Sequence, residues 1–265
     1  MGISGAAASP NMGSYSSMPV AFLMTVFNVR LGQWSGNPRS RTTWNRSTPR
    51  VGLSYLLNEL LGGTDDESAY VYLSDGGHFD NLGIYEMVRR RCRFIVVSDA
   101  GCDPDATLAD LGNAVRKASI DFGVRITFDS FDVLANGRPP PKDAAFAWTG
   151  KIFYPGSEQP GWLLYLRPTF QGNETADIRA YAGVNKTFPH ESTSEQWFGE
   201  SQFEAYRALG AHEMELICGN SPTNAPPALD LGGLKRQAEL YLSPDLGLAV
   251  QLDETGDPQP GPRGE

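Results

Sequence analysis

Residues 72–101 read YLSDGGHFDNLGIYEMVRRRCRFIVVSDAG, and this stretch decides the fold. The run AYVYLS at 69–74 is aromatic and β-branched, as a short strand requires. Asp75-Gly76-Gly77 breaks it sharply. Asp80 or Asn81 can cap a helix over 82–91, and Arg89, Arg90 and Arg91 at its end suit the negative pole of a helix dipole. RFIVVS at 93–98 is a second strand, stopped by Asp99-Ala100-Gly101. Further on, residues 106–122 are amphipathic, with Leu108, Leu111, Val115 and Ile120 at roughly helical spacing. Residues 124–128 form a third strand. Strand, helix, strand, helix, strand with short links predicts a mainly parallel sheet covered by helices.

On the N-terminal side, residues 1–17 are small and polar, and a helix is expected over 18–33. Its apolar part, MPVAFLMTVF at 18–27, is too short for a span of about 20 residues. Residues 34–50 read as a basic loop with two tryptophans, and 51–62 as a short helix ending at Gly62-Gly63. On the C-terminal side, 129–144 is a Pro-rich loop. Residues 145–154 and 162–167 look like a hairpin pair joined through PGSEQPG. Helices are expected over 175–182 and 194–218, with Ser192-Thr193-x-Glu195 as a capping box. Residues 219–265 mix Pro, Gly and acidic residues and read as a partly disordered tail. No repeat is visible.

The chain has 265 residues, 40% hydrophobic and 20% charged, with net charge −9. That composition supports a core. The negative balance argues against nucleic acid as a partner, since phosphate binding needs a cationic surface, and leaves only local basic patches for a membrane surface. Cys92, Cys102 and Cys218 show no CxxC or Cys/His pattern, so neither a disulfide framework nor structural zinc is expected. No signal peptide is evident at the start.

In open parallel sheets functional groups gather at the carboxyl ends of strands. Asp75 falls there, and Gly76 and Gly77 behind it allow a tight turn and close approach of the backbone. A carboxylate so placed can act as the base that activates a hydroxyl nucleophile; an Asp-Gly pair can equally just cap a turn. Asp99 ends the next strand before a small residue and Gly, fit to support the Asp75 turn or to make a turn of its own.

The block DGGHFDNLGIYEMVRRRCRFIVVSDAG resembles the aspartate-bearing motif of patatin-like acyl hydrolases, relatives of the calcium-dependent cytosolic phospholipases. SGAAASPNMGSYSSMPVAFLMTVFNVRLGQW upstream and FPHESTSEQWFGESQFEAYRALG downstream resemble further segments of the large bacterial members, so the likeness covers most of 2–218. It implies a patatin-like three-layer α/β fold over 1–218, of which this is the C-terminal portion, with the N-terminal part missing. It also implies a Ser–Asp dyad that hydrolyses a phospholipid or other acyl lipid through an acyl-enzyme, without histidine, metal or organic cofactor. Asp75 would be the base and Gly76 and Gly77 the binding turn. His78, His190 and His212 are then surface or supporting residues.

No Gly-x-Ser-x-Gly occurs in the chain. Gly2-Ile3-Ser4-Gly5 offers Ser4 as a weak nucleophile candidate, but a nucleophile elbow needs a preceding strand, and three residues cannot supply one. The chain is therefore expected to carry the Asp half of the dyad and to need an N-terminal segment of the same protein. The alternative is an inactive fragment or interaction module folding beside such a segment. A third reading groups Asp75, Asp80 and Asp99 around Mg²⁺. Arg39, Arg41, Arg46 and Arg50 with Trp34 and Trp44 form the best candidate for peripheral membrane contact; Arg89, Arg90 and Arg91 form a second. The expected location is the cytoplasm or the cytoplasmic face of a membrane.

Overall fold

Alternating side chains of one strand, residues 161–166, point into two different cores: Leu163 and Tyr165 into one, Trp162 and Leu164 into the other. A strand apolar on both sides must be covered on both, and the fold follows from meeting that demand. The computed structural model describes residues 19, 22–24, 32–128, 146–192, 195, 197–219 and 230–242. The chain divides into two units, residues 1–81 and 82–265.

In the first unit, β1 (Gln33–Gly36) and β2 (Tyr70–Leu73) form a two-stranded antiparallel ribbon with Trp34 opposite Tyr72. Helix α1 (Leu53–Leu60) packs its Tyr55 against Trp34 at 4.7 Å and Tyr70 at 5.5 Å between ring centroids. Such tilted and edge-on pairs suit the ring quadrupoles. The helix expected over 18–33 falls largely outside the described residues, and Gln33 is instead the first residue of β1. The loop expected over 34–50 likewise starts as strand.

In the second unit, the four-stranded sheet runs β3 (Phe94–Ser98), β6 (Gly161–Leu166), β5 (Ala147–Phe153), β4 (Arg125–Phe128). β3 and β6 are parallel, while β6/β5 and β5/β4 are antiparallel. This corrects the expectation of a mainly parallel sheet. The strand–helix–strand unit from β3 through α3 (Ala109–Phe122) to β4 does exist, and β3 and β4 point the same way. They are not neighbours, because the β5–β6 hairpin inserts between them. Neither does β2 join this sheet; its pairing is with β1. The protein is thus mixed α/β with a mixed-orientation sheet.

Helices cover both faces. On one side α2 (Ile84–Arg89) and α3 bring Ile84, Val88, Leu111 and Ala118 onto Ile95, Val97 and Tyr165. On the other, α5 (Glu200–Cys218) and α6 (Leu231–Leu242) bring Ile217 and Ala238 onto Phe146 and Leu164. Helix α4 (Ala176–Val184) buries Ile178 beside Phe188 and Leu209. Helix α6 lies inside the stretch read as a tail, and its Ala238 is fully buried.

Several local readings shift. Ile120 is 69% exposed, and Ala114 and Ala118 take the buried face of α3 instead. Helix α2 starts after Gly83, at φ 70°, with no side-chain cap, so neither Asp80 nor Asn81 is its cap residue. Helix α5 starts at Glu200 after Gly199, eight residues past Ser192, so the Ser192 capping box does not form at its N-terminus.

Candidate functional site

β2 delivers Asp75 to its carboxyl end, as the pattern of 69–77 requires. The residue is half-buried and precedes a single 3-10 turn, Gly76–His78. Its Oδ1 accepts the Gly77 backbone N–H at 2.8 Å. Its Oδ2 makes no hydrogen bond among the described residues. Gly77 has a steric reason to be glycine: a Cβ there would lie 2.7 Å from Asn81 Oδ1 and 3.2 Å from Asp75 Oδ1. At Gly76 the same Cβ would meet nothing within 4 Å, so only one of the two glycines is needed for close approach. His78 Nδ1 lies 3.4 Å from Ser74 Oγ. Ser4 lies outside the described residues.

The turn after β3 repeats this local geometry in the second unit. Asp99 Oδ1 accepts the Gly101 N–H at 2.9 Å. Here, however, the carboxyl is 7% exposed, and Oδ2 accepts the Tyr165 hydroxyl at 2.5 Å. Burial, with Asp99 beside it, raises the Tyr165 pKa. The hydroxyl therefore stays a donor, and Asp99 makes a turn of its own.

Sequence reasoning missed what surrounds Asp99. Asp103 accepts from Thr107 N (2.9 Å), Thr107 Oγ1 (2.9 Å) and Leu108 N (2.8 Å). It thereby holds a loop in which Ala106 and Leu108 both adopt φ 53°, a conformation that costs L residues energy unless the surroundings impose it. Partial burial works against its charge. The Leu108 and Thr107 bonds and the nearby Arg167 outweigh burial, and its pKa lies below the ordinary value. Arg167, 5% exposed, donates to the Asp103 carbonyl and has Nε 3.9 Å from Asp103 Oδ2. His190, also buried, has Nδ1 3.4 Å from Gly101 O, and burial with Arg167 nearby depresses its pKa. Glu213 accepts Thr169 N at 2.8 Å, and burial pushes it up to about 8. The Arg167, His190 and Glu213 contacts join residues 44 to 89 positions apart. The one local signal was Asp99-Ala100-Gly101, after a strand.

The remaining candidates separate clearly. Trp34 is buried and donates its indole N–H to Glu59 at 2.6 Å, which removes it from any membrane-contact patch. Trp44 is 62% exposed, and Arg39, Arg41, Arg46 and Arg50 are exposed. Arg39 pairs with Asp66 at 3.2 Å. Arg89 and Arg90 both pair with Glu86, and Arg91 donates to Pro155 O, so this basic run is tied within its own unit. His212 Nε2 lies 3.1 Å from Asn173 Oδ1. Cys92, Cys102 and Cys218 are free thiols. Among the described residues no three His, Cys, Asp or Glu side chains are grouped to hold a metal ion. Among them, too, no helix is long and apolar enough to cross a membrane.

Fold and site together define a mixed α/β protein with carboxyl-bearing turns at the ends of strands in both units. No protein-family model matches the chain, and comparison with curated proteins and with solved structures gave no significant match.

Proposed function

We propose that the protein is a patatin-type lipid acyl hydrolase of which these residues carry the aspartate half of a Ser–Asp dyad, in a three-layer α/β fold. The observation that supports this reading is the placement of Asp75: a half-buried carboxyl at the end of a strand, one oxygen anchored by Gly77 N–H, the other without a hydrogen bond among the described residues. A base must be fixed in position and still have a lone pair for the proton it takes. Asp75 meets both conditions, and Asp99 does not.

The chemistry is as follows. Asp75 Oδ2 accepts the proton of a serine hydroxyl as its oxygen bonds to the ester carbonyl carbon, and the carbonyl π electrons move to oxygen. Collapse expels the alcohol oxygen, which takes the proton from Asp75 and leaves an acyl-serine. Water, deprotonated by the same carboxylate, then releases the fatty acid. The serine comes from a segment bearing Gly-x-Ser-x-Gly, absent from these 265 residues; its substrate is a phospholipid or another acyl lipid at a cytoplasmic membrane surface.

The test joins the chain to the segment encoded just before it and measures hydrolysis of a short-chain p-nitrophenyl ester and fluorophosphonate labelling. Asp75→Asn keeps the turn acceptor but not the base. The joined protein should lose roughly 10³-fold or more in kcat with unchanged folding. Undiminished hydrolysis by Asp75→Asn would sink the proposal. A folded but inert joined protein would favour an interaction module. Activity of the 265 residues alone that Ser4→Ala abolishes would move the nucleophile to Ser4.

A further inference from the structure

A cleft in the 82–265 unit, about 330 Å³, lies beyond β6 between the 167–170 segment and the turn 186–190. Its polar lining is Arg167, Lys186, Thr169, Thr187 and His190, and no Asp or Glu lines it. In a chain of net charge −9, a cleft lined by cationic side chains and no acidic one is a local reversal of the overall field, which concentrates anions.

Arg167 is not there for a surface ion pair. Its guanidinium is almost wholly buried, one nitrogen donates to the Asp103 carbonyl, and Nε makes no hydrogen bond among the described residues. The nearest carboxylate, Asp103, stands 3.9 Å from Nε and is committed to Thr107 and Leu108. A buried guanidinium with an unused donor costs free energy unless something compensates it. The exposed Lys186 has no carboxylate within ion-pair distance among the described residues. His190 points Nδ1 at Gly101 O, so Nε2 of the neutral ring is an acceptor and adds no positive charge to the cleft. The donors approach from two separate segments, which suits a tetrahedral oxyanion accepting from several directions better than a planar carboxylate.

We propose that this cleft binds the phosphoryl group of a small phosphate ester or of a lipid headgroup, held by Arg167 and Lys186. The volume is in the range of small-molecule sites and leaves room for a substituent beyond the phosphate. The proposal does not depend on the role of Asp75.

The experiment titrates the purified 265-residue chain with inorganic phosphate, glycerol 3-phosphate and acetate at constant ionic strength. It is followed by flotation with phosphatidylcholine vesicles with and without phosphatidic acid. Phosphate and glycerol 3-phosphate should bind more tightly than acetate. Lys186→Gln, at an exposed position with no bond to lose, should weaken phosphate binding about 5-fold, the size of one partly exposed charge contact. Arg167→Lys should weaken it further by removing the guanidinium fork. Retention on phosphatidic acid vesicles that Lys186→Gln lowers in step identifies a lipid headgroup; binding of glycerol 3-phosphate alone identifies a soluble ester. No phosphate binding by the folded chain, or binding unchanged in Lys186→Gln, overturns the proposal.

Discussion

The turns after β2 and β3 are built alike and end up in different chemical states. In both, an aspartate at the carboxyl end of a strand accepts the N–H two residues on, at 2.8 Å for Asp75 and 2.9 Å for Asp99. In both, the donating glycine lies so close to the aspartate carboxyl that a Cβ on it would be crowded, at 3.2 Å and 2.9 Å. The difference lies in the second oxygen. Asp99 gives it to the buried Tyr165 hydroxyl, whereas Asp75 keeps it unspent among the described residues. A short motif sets the direction of a side chain; what packs around it decides whether that side chain holds the fold together or remains available for reaction.

Replacing Asp99 by Ala should break that contrast hardest. It strands the Tyr165 hydroxyl and the Gly101 N–H without their acceptor, and each such bond contributes about 1.5–3 kcal/mol when the acceptor is a carboxylate. Urea unfolding should show a loss of about 3–5 kcal/mol. Asp75→Ala should cost under about 1 kcal/mol, because its single partner lies in a half-exposed turn.

Titration should show the second difference. Glu213, near the Arg167 end of β6, has a folded-state pKa raised by burial from 4.5 to about 8. The native state therefore binds a proton that the unfolded state has released, and stability falls as pH rises through this window. His190 is shifted downward from 6.5 and acts with the opposite sign, but only below 6.5. Between pH 6.5 and 8 the Glu213 effect stands alone, at about 1.4 kcal/mol per pH unit, or about 2 kcal/mol in all. Glu213→Gln keeps an acceptor for Thr169 N–H and should flatten the profile; a slope that persists in this variant would assign it to another group.

Tyr165→Phe tests the Asp99 contact from the other side, leaving one buried carboxyl oxygen without its donor at a cost of about 1–3 kcal/mol. The smallest expected effects are at the glycines. Gly101→Ala presses on a carboxyl pinned by Tyr165 and should cost about 1–2 kcal/mol. Gly77→Ala meets the movable end of Asn81 and should cost under about 1 kcal/mol, and Gly76→Ala, with open space around it, should be neutral in thermal unfolding. If Gly76→Ala and Gly77→Ala prove equally costly, the turn has a requirement beyond close approach.

Much of the secondary structure was legible because its causes are local. The aromatic and β-branched runs became β2, β3 and β4. PGSEQPG between apolar runs became the β5–β6 hairpin, and the amphipathic stretch before Gly123 became α3. Asp75 was legible as the end of a strand for the same reason. Pairing was not legible. The sequence order β3, α3, β4 predicts neighbours, and only the burial of Trp162, Leu164, Ala147 and Phe146 against α5 and α6 explains why a later hairpin sits between them. Trp34 looked like an interfacial residue because Glu59, which accepts its N–H, lies 25 residues away. Helix α6 was hidden by the Gly and Pro around it, and its place depends on contact with the sheet face.

By itself, then, the sequence determined that strands lie at β2 to β6 and a helix at α3, that Asp75 and Asp99 follow strands, and that a Gly-x-Ser-x-Gly nucleophile is not among these residues. Those outcomes depend on torsional preference, periodicity and hydrogen bonds spanning two to four residues. Only the tertiary structure decided strand order, the commitment of Asp99 to Tyr165, the Asp103–Arg167–His190 cluster and the cationic cleft. The Asp99, Asp103 and His190 contacts join groups 64 to 89 residues apart in the chain, and the energy of a buried polar group is set by which partner the fold brings to it.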